Sequence, residues 1–498
     1  MYFRLLTVIN SEERKIMKIK TFADDFKVTE IADLHFSTNG KYSVFKVTKS
    51  GWSTFDLIDA ISSRLKINSS AVNIAGIKDR HGLTTQYISI ESKLSRRDSG
   101  KIDEEKIQLP DVTIEYLGRI DKKLTSSDIL KNKFTIVIRS ISEKECEIIN
   151  RRFELIKDSL IPNYFDDQRF GSVRNKLDFS VKYILKHDYE TAFMQLLWPS
   201  KYDKKSVKEA KMFFISFFKC KGYFNKNFFD DSILRKYNFN IAEKNQKCMD
   251  IEFRKHIKSI PSELKTALAY LYSIDNCSND TFKKALEKID RRFLILIFHA
   301  YQSHLFNIIL QRYILKNLSI DRRLYSIKGE SGNYVFPEFI KEAEEHDILT
   351  LYLPVLGKNW EKIAQVKEKN YSVNGENNID NKRDLTFNNM ESKSCDNSFS
   401  FVNWLIEEIK KIEKEENIDI NSICGKEVGI SIVAKLRKAF IKPENFYLYD
   451  FDDDDFFKGK KKTKIEFTLD RGCYATIVLK DLILQGKYGK AEEISLDH

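Results

Sequence analysis

Lys78-Asp79-Arg80 sets one carboxylate between two cations at the end of an apolar run, Val72 to Ile77. Adjacent positive charge favours the ionised form of a carboxylate. An ionised carboxylate at a strand-to-loop junction is a reasonable nucleophile. A polar turn through Gly82 follows, and Gln86 leads into a second β-type run, Tyr87 to Ile90. Aspartate is also a common turn residue, because its side chain bonds its own backbone. From these residues alone, a turn role and a chemical role both stand.

Other chemistries find less support. The seven cysteines (146, 220, 248, 277, 395, 424 and 473) include no C-x-x-C pair. Their scatter and odd number argue against a zinc ribbon or a disulfide framework and for reduced cytosolic thiols. His299 and His304 are five apart, not the i, i+4 pair of a helical metal site, and read as core or interface histidines. No nucleotide-binding loop is evident. Lysine plus arginine number 84 against 73 acidic residues, a net charge of +11. That excess fits a polyanion such as nucleic acid as readily as an ordinary basic protein. The first residues lack a signal-peptide cleavage site. The longest apolar runs, near Phe213–Phe218 and Phe293–Phe298, are too short for a bilayer, so a soluble intracellular protein is expected.

The elements that must position Asp79 follow from periodicity. Lys20 to Ile31 alternates at Phe26, Val28 and Glu30 and reads as a first strand. Tyr42 to Thr48 is apolar on both faces, as in a central strand. Ser53 or Thr54 caps a helix with Leu57, Ile61 and Leu65 on one stripe. Residues 92–109 read as a charged surface loop and Val112 to Leu117 as a strand. In Leu130 to Arg139, Phe134, Ile136 and Ile138 share one strand face. From about residue 171 to 440 helical spacing dominates, most clearly in Arg291 to Leu315, which is apolar nearly all round and should be buried. Residues 366–400 are polar and Asn-rich, which predicts a flexible insertion. Trp404 to Glu416 reads as an amphipathic surface helix. Asp452–Asp455 and Lys458–Lys464 read as a solvated hairpin tip or loop, and Lys464 to Leu469 as a strand.

The Asp79 segment, AGIKDRHGLTTQ, resembles the signature of the TruD-type pseudouridine synthases at Gly76, Lys78, Asp79, Arg80, Thr84 and Gln86, with Gly82 where alanine is usual. The opening strand resembles the family's acidic pair, Phe, Val and Glu, preceded by a lysine, here Lys20. Asn132 and Phe134 match a further motif in which Lys131 replaces glycine. The run NYFDDQRFG, from Asn163, is similar to another, with Asp166 in place of glycine. Gln302, Ser303, Leu305, Phe306 and Asn307 match a helical motif. Gly472, Ala475, Thr476 and Leu479 match the family's ending. These motifs occur in the family's order over nearly the whole chain.

The resemblance implies an α+β fold: a pseudouridine-synthase catalytic domain with a mixed, mainly antiparallel sheet from residues 1–170 and 441–498, carrying a largely helical inserted TRUD domain at 171–440. It implies isomerisation of uridine to pseudouridine in tRNA, usually at uridine 13, with other RNAs as further candidates and no cofactor, metal or membrane involved. Asp79 would be catalytic, Lys20 would pair with it, Phe134 would stack on the target base and Asn132 would support the site. Lys78, Arg80, Gln86, Asn163, Gln168 and Arg169 would contact RNA. The expected location is cytoplasmic, with the nucleus open for a eukaryotic source. A non-catalytic RNA-binding or chaperone protein is the alternative. An Asp-dependent hydrolase is weaker, since it would call for a second carboxylate or a metal cluster.

Overall fold

Alternating strands need a shared sheet to satisfy their backbone groups, and most of those near Asp79 find one. The computed structural model describes residues 17–91, 108–170, 178–200, 203–224, 245–318, 323–340, 348–360, 395–483 and 487–489, with 239 and 241. The chain divides into two compact units. The first comprises Met1–Asn163, Glu338–Leu349 and Phe440–Gln485, and the second Tyr164–Pro337, Thr350–Ala439 and Gly486–His498. The first boundary therefore falls inside the NYFDDQRFG run. Most of the expected 92–109 loop and of the 366–400 insertion lies outside the described residues, as do 171–175 of the run from Asn163.

The first unit is built on one sheet. Its strands include β1 (Phe26–Ala32), β2 (Tyr42–Lys49), β3 (Val72–Ile74), β4 (Leu83–Glu91), β5 (Val112–Ile120) and β6 (Ile129–Ile141). The order runs from Glu444–Leu448 through Lys461–Asp470, β6, β1, β4 and β2 to β5, with β3 alongside β4. β1 and β4 are parallel. The other pairings are antiparallel, so the sheet is mixed and mainly antiparallel. Lys461–Asp470 lies along β6 from Ile141 to Lys131, which brings a late segment of the chain into the sheet of the early strands.

Helix α1 (Thr54–Leu65) starts where Ser53 accepts a hydrogen bond from the Asp56 amide at 3.0 Å. That bond satisfies one of the donors a helix start leaves open. Leu57, Ile58 and Ile61 pack on Phe45, Val47, Ile88 and Ile90 from β2 and β4. Val44 faces the opposite cluster, with Ala75, Ile120, Leu124 and Ile129. β2 is thus covered on both faces, and each such buried side chain contributes about 1.5–3 kcal/mol relative to exposure. Helix α2 (Glu143–Ile156) places buried Arg152 against buried Asp481 of the Ala475–Ile483 helix.

Two expectations need correction. The Val72–Ile77 run is strand only to Ile74, and Ile77 is 67 % exposed. The acidic run is not simply a solvated tip. Buried Asp454 accepts from Arg139 at 3.2 Å and from the Ser140 amide at 2.9 Å. The same guanidinium grips Asp25 at 2.9–3.0 Å and Asp455 at 2.6 Å. Lys461–Lys464 are already in the sheet. The sequence signals failed here because the counter-charge, Arg139, is more than 300 residues away.

The second unit is mostly helical, with a hairpin of Leu324–Gly329 and Gly332–Pro337 and a strand pair of Tyr352–Val355 and Lys435–Lys438. Its longest helix, Arg291–Asn317, is by length and composition able to cross a bilayer, although none of the apolar runs is. It is packed inside the unit, with Tyr301, Leu305, Phe306, Ile309 and Leu310 fully covered. His304 stacks on Phe179 at 4.8 Å, as a core histidine would.

Replacing Arg139 by methionine leaves Asp25 and Asp454 buried without their cation. The expected loss is about 3–5 kcal/mol of unfolding free energy, read as a lower denaturation midpoint in urea.

Candidate active site

Two stretches far apart in sequence meet at Asp79. The first runs from Lys18 to Asp25. Lys18 and Arg139 exchange both backbone hydrogen bonds, at 2.9 and 2.8 Å. Asp25 is held by the Arg139 guanidinium. Between these anchors Lys20 adopts a left-handed backbone, φ +61°, a conformation uncommon for a residue with a side chain. Its ammonium lies over the Phe26 ring, 4.0 Å from the centroid, and 2.6 Å from Asp79 Oδ2.

The second stretch is the turn between β3 and β4. Each residue from Lys78 to Arg80 is tied down. The Lys78 ammonium turns inward between Glu30 Oε1 at 3.0 Å and Asn132 Oδ1 at 2.6 Å. The Lys78 amide donates to Thr54 Oγ1 at 2.9 Å, and that hydroxyl is 3.2 Å from Gln86 Oε1. The Asp79 carbonyl accepts from the Lys49 ammonium at 2.9 Å. Arg80 Nε donates to the Gly51 carbonyl at 2.8 Å. At Gly82 a Cβ would sit 2.5 Å from the Phe26 carbonyl oxygen, so the turn passes too close to β1 for a side chain. With Lys78 pulled in, the Asp79 side chain points out and stays 37 % exposed.

Burial pushes the Asp79 carboxyl up, but the Lys20 charge, its hydrogen bond, the His81 amide and the His81 charge outweigh it. The group sits below its ordinary value. His81 N donates to Oδ1 at 3.3 Å. Asp79 is therefore ionised at neutral pH and open to solvent, as a nucleophile or an acceptor of a substrate proton must be. Glu30 moves the other way, raised by burial against the opposing pull of Lys78 and the Tyr87 amide.

Several expected site residues take structural places. Lys78 is a half-buried anchor, paired with Glu30 rather than a free cation. Gln86 is wholly buried and braces Thr54, and Asn163 is also buried. Asn132 accepts from the Lys78 ammonium. Phe134 is 7 % exposed, packed between Phe26 at 6.4 Å and Phe467 at 5.5 Å. Its ring is a core ring beneath Lys20 and Phe26, not an open platform. Arg80 is exposed at the site. Gln168 and Arg169 belong to the second unit, Gln168 exposed and Arg169 partly so. Arg169 Nε is buried with no hydrogen-bond partner among the described residues. Its charge bears on Lys435, as does that of Arg437. Arg437 lies 4.1 Å over Phe165, whose backbone N–H and C=O are both bonded by the Asn307 side chain at 2.9 Å.

Sequence reasoning missed Lys49 and Thr54. Lys49 closes an apolar strand and Thr54 opens a helix, and nothing in their spacing points at Asp79. Among the described residues no group of three or more His, Cys, Asp or Glu forms a metal-type cluster.

Fold and site define an α+β protein organised around a single ionised carboxylate. Residues 6–222 and 236–332 match the family model of tRNA pseudouridine synthase D (TruD), and the chain belongs to that family. It is accordingly an isomerase, a pseudouridine synthase. The chain is 29 % identical over 475 residues to "Probable tRNA pseudouridine synthase D 2" of Methanocaldococcus jannaschii, covering 95 % of this chain and 93 % of the relative. It is 25 % identical to tRNA pseudouridine synthase D of Aquifex aeolicus, covering 94 % and 98 %. A crystal structure of the TruD protein of Methanosarcina mazei shares the fold, with a TM-score of 0.55 and 22 % identity over 93 % of each chain.

Replacing Lys20 by methionine removes the charge that outweighs burial at Asp79. The acid limb of the pH–rate profile should then move to higher pH, because the carboxylate protonates earlier as pH falls. An unmoved limb in the variant would separate Lys20 from the ionisation of Asp79.

Proposed function

We propose that this chain converts a uridine of tRNA to pseudouridine, at uridine 13, with Asp79 as the catalytic carboxylate. The supporting observation is the ionised, solvent-open Asp79, held 2.6 Å from Lys20 on a turn fixed from several sides. The relatives' names supply the substrate class.

In the isomerisation the C1′–N1 bond breaks, the uracil turns over and C1′ bonds to C5. The C5 proton leaves and N1 gains one, so atoms and electrons balance without a redox partner. An ionised oxygen can serve by attack at C1′ or at the base, and Asp79 suits both routes. A stacked target must first leave its helix, at a cost of a few kcal/mol. Arg80, exposed beside Asp79, supplies charge for a neighbouring phosphate. Gln168 and Arg169 carry donors suited to phosphate or base edges. Phe134 acts from below, as the floor on which Phe26 and Lys20 rest.

The test is release of tritium from [5-³H]uridine-labelled tRNA. Asp79→Asn should lower the rate at least about a thousandfold, the scale seen when a catalytic nucleophile is removed, while tRNA binding survives. A variant that still isomerises would refute the assignment. A wild-type chain that binds tRNA without releasing tritium would make it an RNA-binding protein instead. Arg169→Gln should lower the slope of log affinity against log salt by about 1, the loss of one phosphate contact. That slope is read from filter binding in the Asp79→Asn background.

A further inference from the structure

Lys49, the last residue of β2, has no exposed surface. Lysine is almost never fully buried unless paired, and a buried ammonium without a counter-ion is costly. Lys49 makes no ion pair among the described residues. Its ammonium instead donates to two main-chain carbonyls, Trp52 at 2.7 Å and Asp79 at 2.9 Å. One carbonyl is in the approach to α1 and the other belongs to the residue that carries the reactive carboxylate. A positive charge has thus been brought into the core to hold backbone at this one place.

We propose that Lys49, in its ammonium form, is a positioning residue for the isomerase: it clamps the main chain beneath Asp79 through the Trp52 and Asp79 carbonyls. This rests on the reading of Asp79 as the catalytic carboxylate. Lys49 does not touch the substrate; it acts through the turn.

Burial pushes Lys49 down to about 8. The charged groups that bear on it are Asp79, which draws it up, and Lys78, which pushes it further down. Its register partners on β4 and β5, Thr84 and Val112, are uncharged. A neutral amine keeps two N–H groups and can still reach both carbonyls. What it loses is charge assistance, which makes such bonds roughly twice as strong, and the attraction that the ammonium exerts on the Asp79 carboxylate.

Stability moves in the opposite direction. In the unfolded chain the lysine titrates near 10.5, and in the folded chain near 8. Between these values the unfolded state holds more protons, so this group's contribution to stability rises with pH. Activity lost through Lys49 in that window is therefore not activity lost by unfolding.

The experiment is single-turnover isomerisation of tRNA with enzyme in excess, followed from about pH 6 to 10. The wild-type rate should fall as pH passes about 8. Lys49→Met should be slower by about tenfold or more at neutral pH, with no limb near 8 and unchanged tRNA affinity. Lys49→Arg, which cannot deprotonate, should keep activity above that pH. A methionine variant with the wild-type rate, or with the same alkaline limb, overturns the proposal. Should the variants not fold, NMR of lysine side chains in the wild-type chain decides: one ammonium titrating near 8 supports the proposal, and ordinary titration of every lysine overturns it. A dead Asp79→Asn with a normal Lys49→Met defeats this inference alone. An active Asp79→Asn defeats the reading on which it rests.

Discussion

The carboxylate of Asp79 is ionised because an ammonium 2.6 Å away outweighs the cost of its surroundings. Neither partner could hold that distance alone. Lys20 lies between two grips of Arg139, one on the main chain of Lys18 and one on the side chain of Asp25. Asp79 lies between Lys78 and Arg80, one bonded inward to Glu30 and Asn132 and the other outward to Gly51. The pair is as stiff as those anchors, and the anchors come from β6, β1 and the entry to α1.

Much of the anchoring is charge taken out of water. Glu30 with Lys78, Asp25 and Asp454 with Arg139, and Lys49 with its two carbonyls are all buried or nearly so. Apolar residues of similar volume often stabilise as well as a buried ion pair or better. What these groups supply is direction. A methyl group packs in many orientations, but an ammonium between a carboxylate and an amide oxygen has essentially one. The second unit uses a neutral version of the same device, where Asn307 closes both hydrogen bonds on the backbone of Phe165.

Local signals were legible in the sequence where one element decides them. Alternation at Phe134, Ile136 and Ile138 reports a covered face, and all three are buried in β6. Ser53 before a four-residue apolar spacing reports the start of α1, and its cap is formed. Lys78, Gln86 and Asn163 were less legible, because a polar side chain in a family motif is equally at home against ligand or against protein. Direction depends on residues that arrive from elsewhere in the chain: Glu30 for Lys78 and Thr54 for Gln86. The same holds for Phe134, whose neighbours Phe26 and Phe467 come from β1 and the closing strand.

By itself the amino-acid order determined the family signature, the strand and helix periods, and the lone carboxylate between cations, because each is a property of neighbours along the chain. The family resemblance pointed to Lys20 as that carboxylate's partner, but only the tertiary structure brings the two together. Lys78 and Arg80 adjoin it in sequence yet bond Glu30 and the Gly51 carbonyl, while Lys20, 59 positions earlier, meets it. The physical reason is the tight turn between β3 and β4. With the Lys78 side chain drawn into the sheet, the next one must face outward, and the place beside it is open to whatever β6 holds there.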